Sequence, residues 1–178
     1  VTTHGATSSG AGVFEEAVRL DDGRSFVMRP LRPDDLDALR RAFLRLTPEE
    51  IEYRFFYRSR ELPVSVQAQV RALNPACDAA FVVDDNGEIR AVADLHLDRP
   101  DAREAEFGLI VGKAVSGHGL GRRLMLRLLD EARQRGLVAL HGSVRADNAR
   151  MLDLCRELGA RITPIAGEPT VLCVRIEP

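Results

Sequence analysis

The apolar positions of this 178-residue chain fall into two periods. Alternation marks strands, and recurrence at i, i+3, i+4 and i+7 marks helices with one buried face. Ser25 to Arg29 alternates, and Pro30 and Pro33 then punctuate the chain. Asp34 or Asp35 begins a helix carrying Leu36, Leu39, Phe43 and Leu46. Thr47-Pro48-Glu49-Glu50 is an N-cap with proline at the first helical position, and the helix it opens carries Ile51, Phe55 and Phe56. Pro63 opens a third helix that runs to about Leu73. Ala79 to Val83, the turn Asp84-Asp85-Asn86-Gly87, and Ile89 to Leu97 read as a hairpin. Glu104 to Val111 is another strand. Leu120, Leu124, Leu128, Leu129 and Ala132 share one face of a helix that Gly136 closes. Leu137 to Val144 is a strand, Asp147 or Asn148 begins a helix stopped by Gly159, and Val171 to Ile176 is the last strand.

This order of strand, helices, three consecutive strands and then β-α-β units predicts an α+β fold, a mixed sheet with helices on its faces. There are no internal repeats. Residues 1–23 read as a flexible tail or linker, which leaves one domain over residues 24–178.

Composition narrows the function classes. Hydrophobic residues at 45% and charged residues at 29% are ordinary for a globular protein. With 27 acidic against 25 basic residues, the net charge of −2 lacks the basic excess of a nucleic-acid binder. No apolar run approaches the length of a membrane span and no signal peptide is visible, so a cytoplasmic protein is expected. Three widely spaced cysteines with no C-x-x-C fit a reducing compartment and no structural zinc. No His/Asp/Glu group has metal-site spacing, so no metal is expected. Lys113 is the only lysine among the 25 basic residues, a bias of composition that leaves the chain almost no lysine of its own to modify.

Candidate chemistry concentrates in Val115 to Met125, where Gly117, Gly119 and Gly121 lead into an apolar-periodic helix. Glycine lets backbone approach a ligand closely, and a helix N-terminus offers unpaired N–H groups to an anion. The stretch reads as a cradle for a pyrophosphate; a tight strand-to-helix turn without a ligand is the plainer alternative. It fails the dinucleotide fingerprint, because Arg122 stands where the third glycine belongs. It fails the Walker pattern too, because His118 and Gly119 follow Gly117 where Lys and Ser or Thr are needed.

The neighbouring sequence carries a resemblance. Ser116-Gly117-His118-Gly119-Leu120-Gly121 is similar to the Q/R-x-x-G-x-G/A loop of the GNAT N-acetyltransferase superfamily, with Ser116 in the Q/R place. Upstream stands the strand A-E-F-G-L-I-V; downstream, Asn148-Ala149-Arg150-Met151 and Leu158-Gly159-Ala160 match the superfamily's later helix. R-P-L-R-P-D-D (Arg29 to Asp35) and L-T-P-E-E-I-E-Y-R-F-F (Leu46 to Phe56) resemble bacterial protein lysine acetyltransferases of the Pat type. Some of those carry an added nucleotide- or amino-acid-binding domain, for which 178 residues leave no room, so the expectation is either that this protein is not regulated in that way or that such a domain precedes Val1.

The resemblance implies a GNAT-type mixed, mostly antiparallel sheet and acetyl-coenzyme A as cosubstrate. It implies that Leu109, Ile110 and Val111 pair with the pantetheine arm. It places Ser116, Gly117, His118, Gly119, Leu120, Gly121 and Arg122 around the pyrophosphate, and Asn148 near the pantetheine. Arg122 is otherwise a solvated surface residue, and Asn148 otherwise a helix N-cap; the two roles of Asn148 are compatible.

It further implies that Glu106 is the catalytic base for direct transfer to a lysine ε-amine. A lysine ammonium ordinarily titrates near pH ~10.4 and has no lone pair until it is deprotonated. Glu106, Gly108 and Ile110 share one face of the strand. Partial burial is expected to make Glu106 a better base, and Gly108 to leave room for a substrate or water. The plainer alternative is an ordinary surface glutamate.

Cys155 stands where many members carry a tyrosine acid, and reads as packing rather than as a proton donor. Tyr53, Phe55, Phe56 and Tyr57 pack on the sheet and wall the acceptor groove, which Asp94, Glu104 and Glu106 make acidic. The expected partner is a protein with an exposed lysine, such as an acyl-adenylate-forming synthetase. Acetylation of a small amine and a non-catalytic acetyl-coenzyme A-binding regulatory module are the alternatives.

Overall fold

The computed structural model describes residues 14–178. In chain order it contains β1 (Glu16–Arg19), β2 (Ser25–Pro30), α1 (Leu36–Leu44), α2 (Pro48–Phe55), α3 (Val64–Arg71), β3 (Asp78–Asp85), β4 (Glu88–His96), β5 (Glu104–Val111), α4 (Leu120–Gln134), β6 (Ala139–Arg145), α5 (Ala149–Glu157), β7 (Arg161–Ile165) and β8 (Glu168–Ile176). The strands form one sheet in the order β1-β2-β3-β4-β5-β6-β8-β7. Every neighbouring pair is antiparallel except β5 with β6, which run parallel because α4 crosses between them.

The apolar pattern accounts for the layers. On α4, Leu120, Leu124, Leu128, Leu129 and Ala132 are buried as their spacing requires, joined by Met125. They pack with Leu152 and Cys155 of α5 on one face of the sheet, against Ala93, Leu95, Ala105, Phe107 and Leu140. Leu39, Phe43, Ile51 and Val70 of α1–α3 cover Val82 and Ile89 on the opposite face. Asn86 and Gly87 both take positive φ, 52° and 87°, which suits the two-residue turn that closes β3 onto β4.

Two elements differ from the sequence reading. Residues 16–19, assigned there to the tail, pair with β2 and bury Val18 completely. Residues 1–13 lie outside the described part. The C-terminal strand begins at Glu168 rather than Val171, and it hairpins with a β7 that the apolar pattern does not announce. β7 is an edge strand of five residues with an interior proline, Pro164, which an edge tolerates.

One irregularity positions the site. β5 and β6 are paired only from Glu104↔Ala139 to Glu106↔His141, yet β5 continues to Val111. Beyond Glu106 the two strands part, and β6 goes on pairing with β8 as far as Arg145.

Candidate active site

The parting of β5 from β6 opens a groove of about 1390 Å3, walled by α2, β5, the glycine loop, the end of β6 and the start of α5. The backbone of β5 forms one side. The N–H of Gly112 donates to the carbonyl of Arg90 at 3.0 Å, on the β4 side. Alternation therefore turns the N–H groups of Ile110 and Gly108 toward β4, and those of Leu109 and Val111 toward the groove.

The glycine loop closes one end. Gly117 and Gly119 hold φ of +87° and +75°, in the left-handed region that favours glycine. Gly119 is the N-cap of α4 and supplies no side-chain cap. The first helical bond runs from the N–H of Arg123 to the carbonyl of Gly119 at 3.1 Å, so the amides of residues 120–122 have no partner inside the helix. A Cβ on Gly121 would lie 3.5 Å from the side chains of Leu109, Val111 and Leu154, ordinary van der Waals contact, so the head of the helix packs on β5 and α5 without requiring glycine there. This is the donor arrangement an anion requires. Ser116 and Arg122 face the groove, and the Ser116 hydroxyl donates to the Lys113 carbonyl at 3.1 Å.

His118 departs from the rest of the loop. It does not line the groove; its Nε2 lies 3.4 Å from Arg24 Nη2 and 3.7 Å from Asp22 Oδ2. The β1–β2 turn thus braces the loop from outside, and Arg24 adds a bond to the Ala114 carbonyl at 3.1 Å. Asn148 takes the capping role: its Oδ1 accepts from the N–H of Met151 at 3.2 Å while the residue lines the groove.

Glu106 lies on the groove wall with its side chain exposed rather than partly buried, because β6 turns away just beyond it. Its register neighbours are His96 on β4 and His141 on β6. His96 is committed elsewhere, with its Nδ1 2.6 Å from Asp78 Oδ1.

Gly108 does not leave open space beside Glu106. The Arg54 guanidinium of α2 lies on it, and a methyl there would collide with Arg54 Nη2. That nitrogen donates to both oxygens of Asp94, at 2.9 and 3.2 Å. Asp94, with Glu106 further off, holds the guanidinium firmly protonated against the cost of burying it. Asp94 is thereby neutralised. Glu104 is turned to Arg175 at 3.0 Å and does not line the groove. Of the other carboxylates lining the groove, Glu52, Asp147 and Asp153 are likewise paired, with Arg58, Arg145 and Arg156, and Glu50 caps α2, which leaves Glu106, Glu49 and Glu157 as those without an arginine partner among the described residues. Sequence reasoning missed Arg54; the signal was Gly108, since a glycine inside a strand marks a close approach.

The aromatic run divides. Phe55 packs on Phe43 with ring centroids 5.9 Å apart. Tyr53 and Phe56 line the groove, and Tyr57 lies outside it. The Tyr53 hydroxyl lies 3.2 Å from Glu49 Oε1 and 3.4 Å from the Asp147 carbonyl, bridging α2 to the β6–α5 loop. Burial and the Glu49 carboxylate push its ionisation upward. Cys155 is fully buried away from the groove, and burial pushes its thiol up to about 11, which makes it a poor acid.

Comparison with known proteins agrees with this geometry. Residues 36–160 match the acetyltransferase (GNAT) family. The chain is 32% identical over 143 residues to Acetyltransferase PA5475 of Pseudomonas aeruginosa, covering 79% of this chain and 77% of that protein. In fold it is similar to the GNAT domain of S. lividans PAT, with a TM-score of 0.84, 22% identity, and coverage of 92% of this chain and 97% of that one. It is also similar to yncA of Salmonella typhimurium, solved with its cofactor acetyl-CoA, at a TM-score of 0.68, 21% identity, and coverage of 85% and 93%. A parted β5–β6 pair, a glycine cradle at the head of α4 and a family match across both lead to one assignment: the chain belongs to the GNAT family of acetyltransferases, which use acetyl-coenzyme A.

Proposed function

We propose that this protein moves the acetyl group of acetyl-coenzyme A to the ε-amine of lysine on a protein, with Glu106 as general base. The observation that carries the reading is the position of Glu106. It is the last β5 residue paired to β6, at the point where the groove opens, on the same strand that turns the N–H of Leu109 into the groove three residues on.

Acetyl-coenzyme A, when bound, supplies a thioester whose carbonyl carbon the amine attacks. Glu106 takes the proton that the ammonium must lose, directly or through one water. The N–H of Leu109 donates to the carbonyl oxygen as negative charge develops there. The amides of residues 117–122 and Arg122 hold the pyrophosphate, and the N–H of Val111 and the Asn148 side chain hold the pantetheine arm. His118, turned outward onto Asp22 and Arg24, supplies its backbone only. A coenzyme A thiolate leaves readily, so the absence of an acid at Cys155 is no obstacle.

For the acceptor, support comes from Glu49 and Glu106, carboxylates on the groove wall with no arginine partner among the described residues that would attract a cationic lysine, and from the likeness in fold to a PAT GNAT domain. An acyl-adenylate-forming synthetase is the acceptor to try first. The test incubates the protein and acetyl-coenzyme A with purified synthetases and host lysate on one side, and with free polyamines and amino acids on the other. Acetyl-lysine on proteins is expected. Turnover of free amines with none on any protein would sink the lysine reading. Glu106→Gln should keep coenzyme binding and lose transfer about 10²- to 10⁴-fold; an unchanged rate would remove Glu106 as the base.

A further inference from the structure

Behind the groove lies a second space, an apolar cavity of about 170 Å3 between α1–α3 and the sheet. Leu39, Phe43, Phe55, Val66, Val70 and Val92 are among its walls. Groove and cavity share Arg54, Ile110 and Lys113. Arg54 is the partition. Its guanidinium rests on Gly108, is tied to Asp94 at 2.9 Å, and has its central carbon 5.2 Å from the centroid of the Phe55 ring on the cavity side.

We propose that Arg54 sets the acyl-chain length this protein accepts, by closing the apolar cavity against the acyl end of a coenzyme A thioester held in the groove. The inference rests on the coenzyme reading of the groove and is independent of the acceptor. A pantetheine arm running along Val111 to Leu109 delivers its acyl group at Gly108, where the guanidinium lies. A two-carbon acyl group ends there. A longer chain meets a charged group already engaged with Asp94 and gains nothing by contact with it. The space beyond is mostly apolar, with Asp94 among its walls, and of useful size, since an apolar cavity of about 150 Å3 admits a six-carbon ring.

Titration calorimetry with coenzyme A, acetyl-, butyryl-, hexanoyl- and succinyl-coenzyme A tests this in the wild type and in Arg54→Ala. The wild type is expected to gain no affinity beyond acetyl. In Arg54→Ala, affinity should rise roughly fourfold for each methylene that enters the cavity, so the hexanoyl-to-acetyl ratio climbs at least tenfold. Adding Val66→Phe fills the cavity and should cancel that gain. Asp94→Asn keeps the bulk of Arg54 while loosening its anchor, and should give part of the gain even if Arg54→Ala fails to fold.

An unchanged chain-length profile in Arg54→Ala and Asp94→Asn would overturn the proposal. So would a gain that survives Val66→Phe. Preference of the wild type for succinyl- over acetyl-coenzyme A would make Arg54 a carboxylate ligand rather than a barrier, and would also overturn it. If neither coenzyme A nor any of its thioesters binds, the coenzyme reading fails together with this one. Missing lysine acetylation beside normal thioester binding counts against the acceptor alone.

Discussion

The three cysteines show how far burial alone decides chemistry. Cys77 and Cys155 are buried, and Cys173 on β8 is partly exposed. A thiolate is the reactive form, and burial suppresses it. Ellman's reagent should therefore titrate Cys173 in the native protein, with Cys77 and Cys155 responding only on unfolding. Fast reaction of Cys155 would contradict its place in the core. The position of Cys155 on the apolar face of α5 was readable from spacing, and so was the glycine loop, although not that Gly117 and Gly119 take positive φ while Gly121 does not. Arg54 was not. Gly108 signals a close approach on β5, but which residue approaches depends on α2 laying Arg54 across the strand, a contact between residues far apart in sequence.

Elements with strong local signals were the legible ones. Thr47 caps α2 through a reciprocal pair with Glu50, at 3.2 and 2.7 Å, as the T-P-E-E run suggests. The Asn86-Gly87 hairpin and the α4 stripe were equally plain. β1 and β7 were hidden because a short edge strand buries few side chains and so leaves little alternation. The parting of β5 from β6 was also beyond local reading, although it decides where a ligand binds. It has a direct test. The amides of Leu109 and Val111 turn into the groove, and those of Gly108 and Ile110 turn toward β4. Hydrogen exchange should be fast at Leu109 and Val111 in the free protein and slow once acetyl-coenzyme A is added, with Gly108 and Ile110 protected throughout. Equal protection of all four in the free protein would mean the strands are not parted there.

Across the whole molecule, a buried ionic junction ties the helical layer to the sheet. Arg29 of β2 donates to Asp35 through two nitrogens, each at 2.8 Å, and to Asp84 of β3 at 2.9 Å. Burial by itself would raise the pKa of Asp35, but the Arg29 guanidinium and the Arg32 amide outweigh it and hold the carboxyl below its ordinary value. Asp78 is lowered in the same way: burial would raise it, and the Asn74 amide and His96 outweigh that. A carboxyl lowered in the folded state stabilises above its unfolded pKa of about 3.9 and loses that contribution as pH falls through the folded value. The melting temperature should therefore drop steeply below about pH 4. Asp35→Asn should melt lower at neutral pH and show a shallower acid decline; a parallel decline would show that Asp35 is not part of the acid response.

The cations of this framework are arginines. Arg29, Arg54, Arg127 and Arg135 make its more buried ion pairs, and Lys113 is the single lysine of the chain. A guanidinium keeps its proton at any physiological pH, so it is not a nucleophile toward thioesters. Spontaneous acylation, which slowly erodes lysine-based ion pairs in the presence of activated acyl groups, has almost no purchase here. The buried ion pairs of the scaffold are inert toward such acyl donors, and the chain's single lysine stands exposed on the lining of the groove instead.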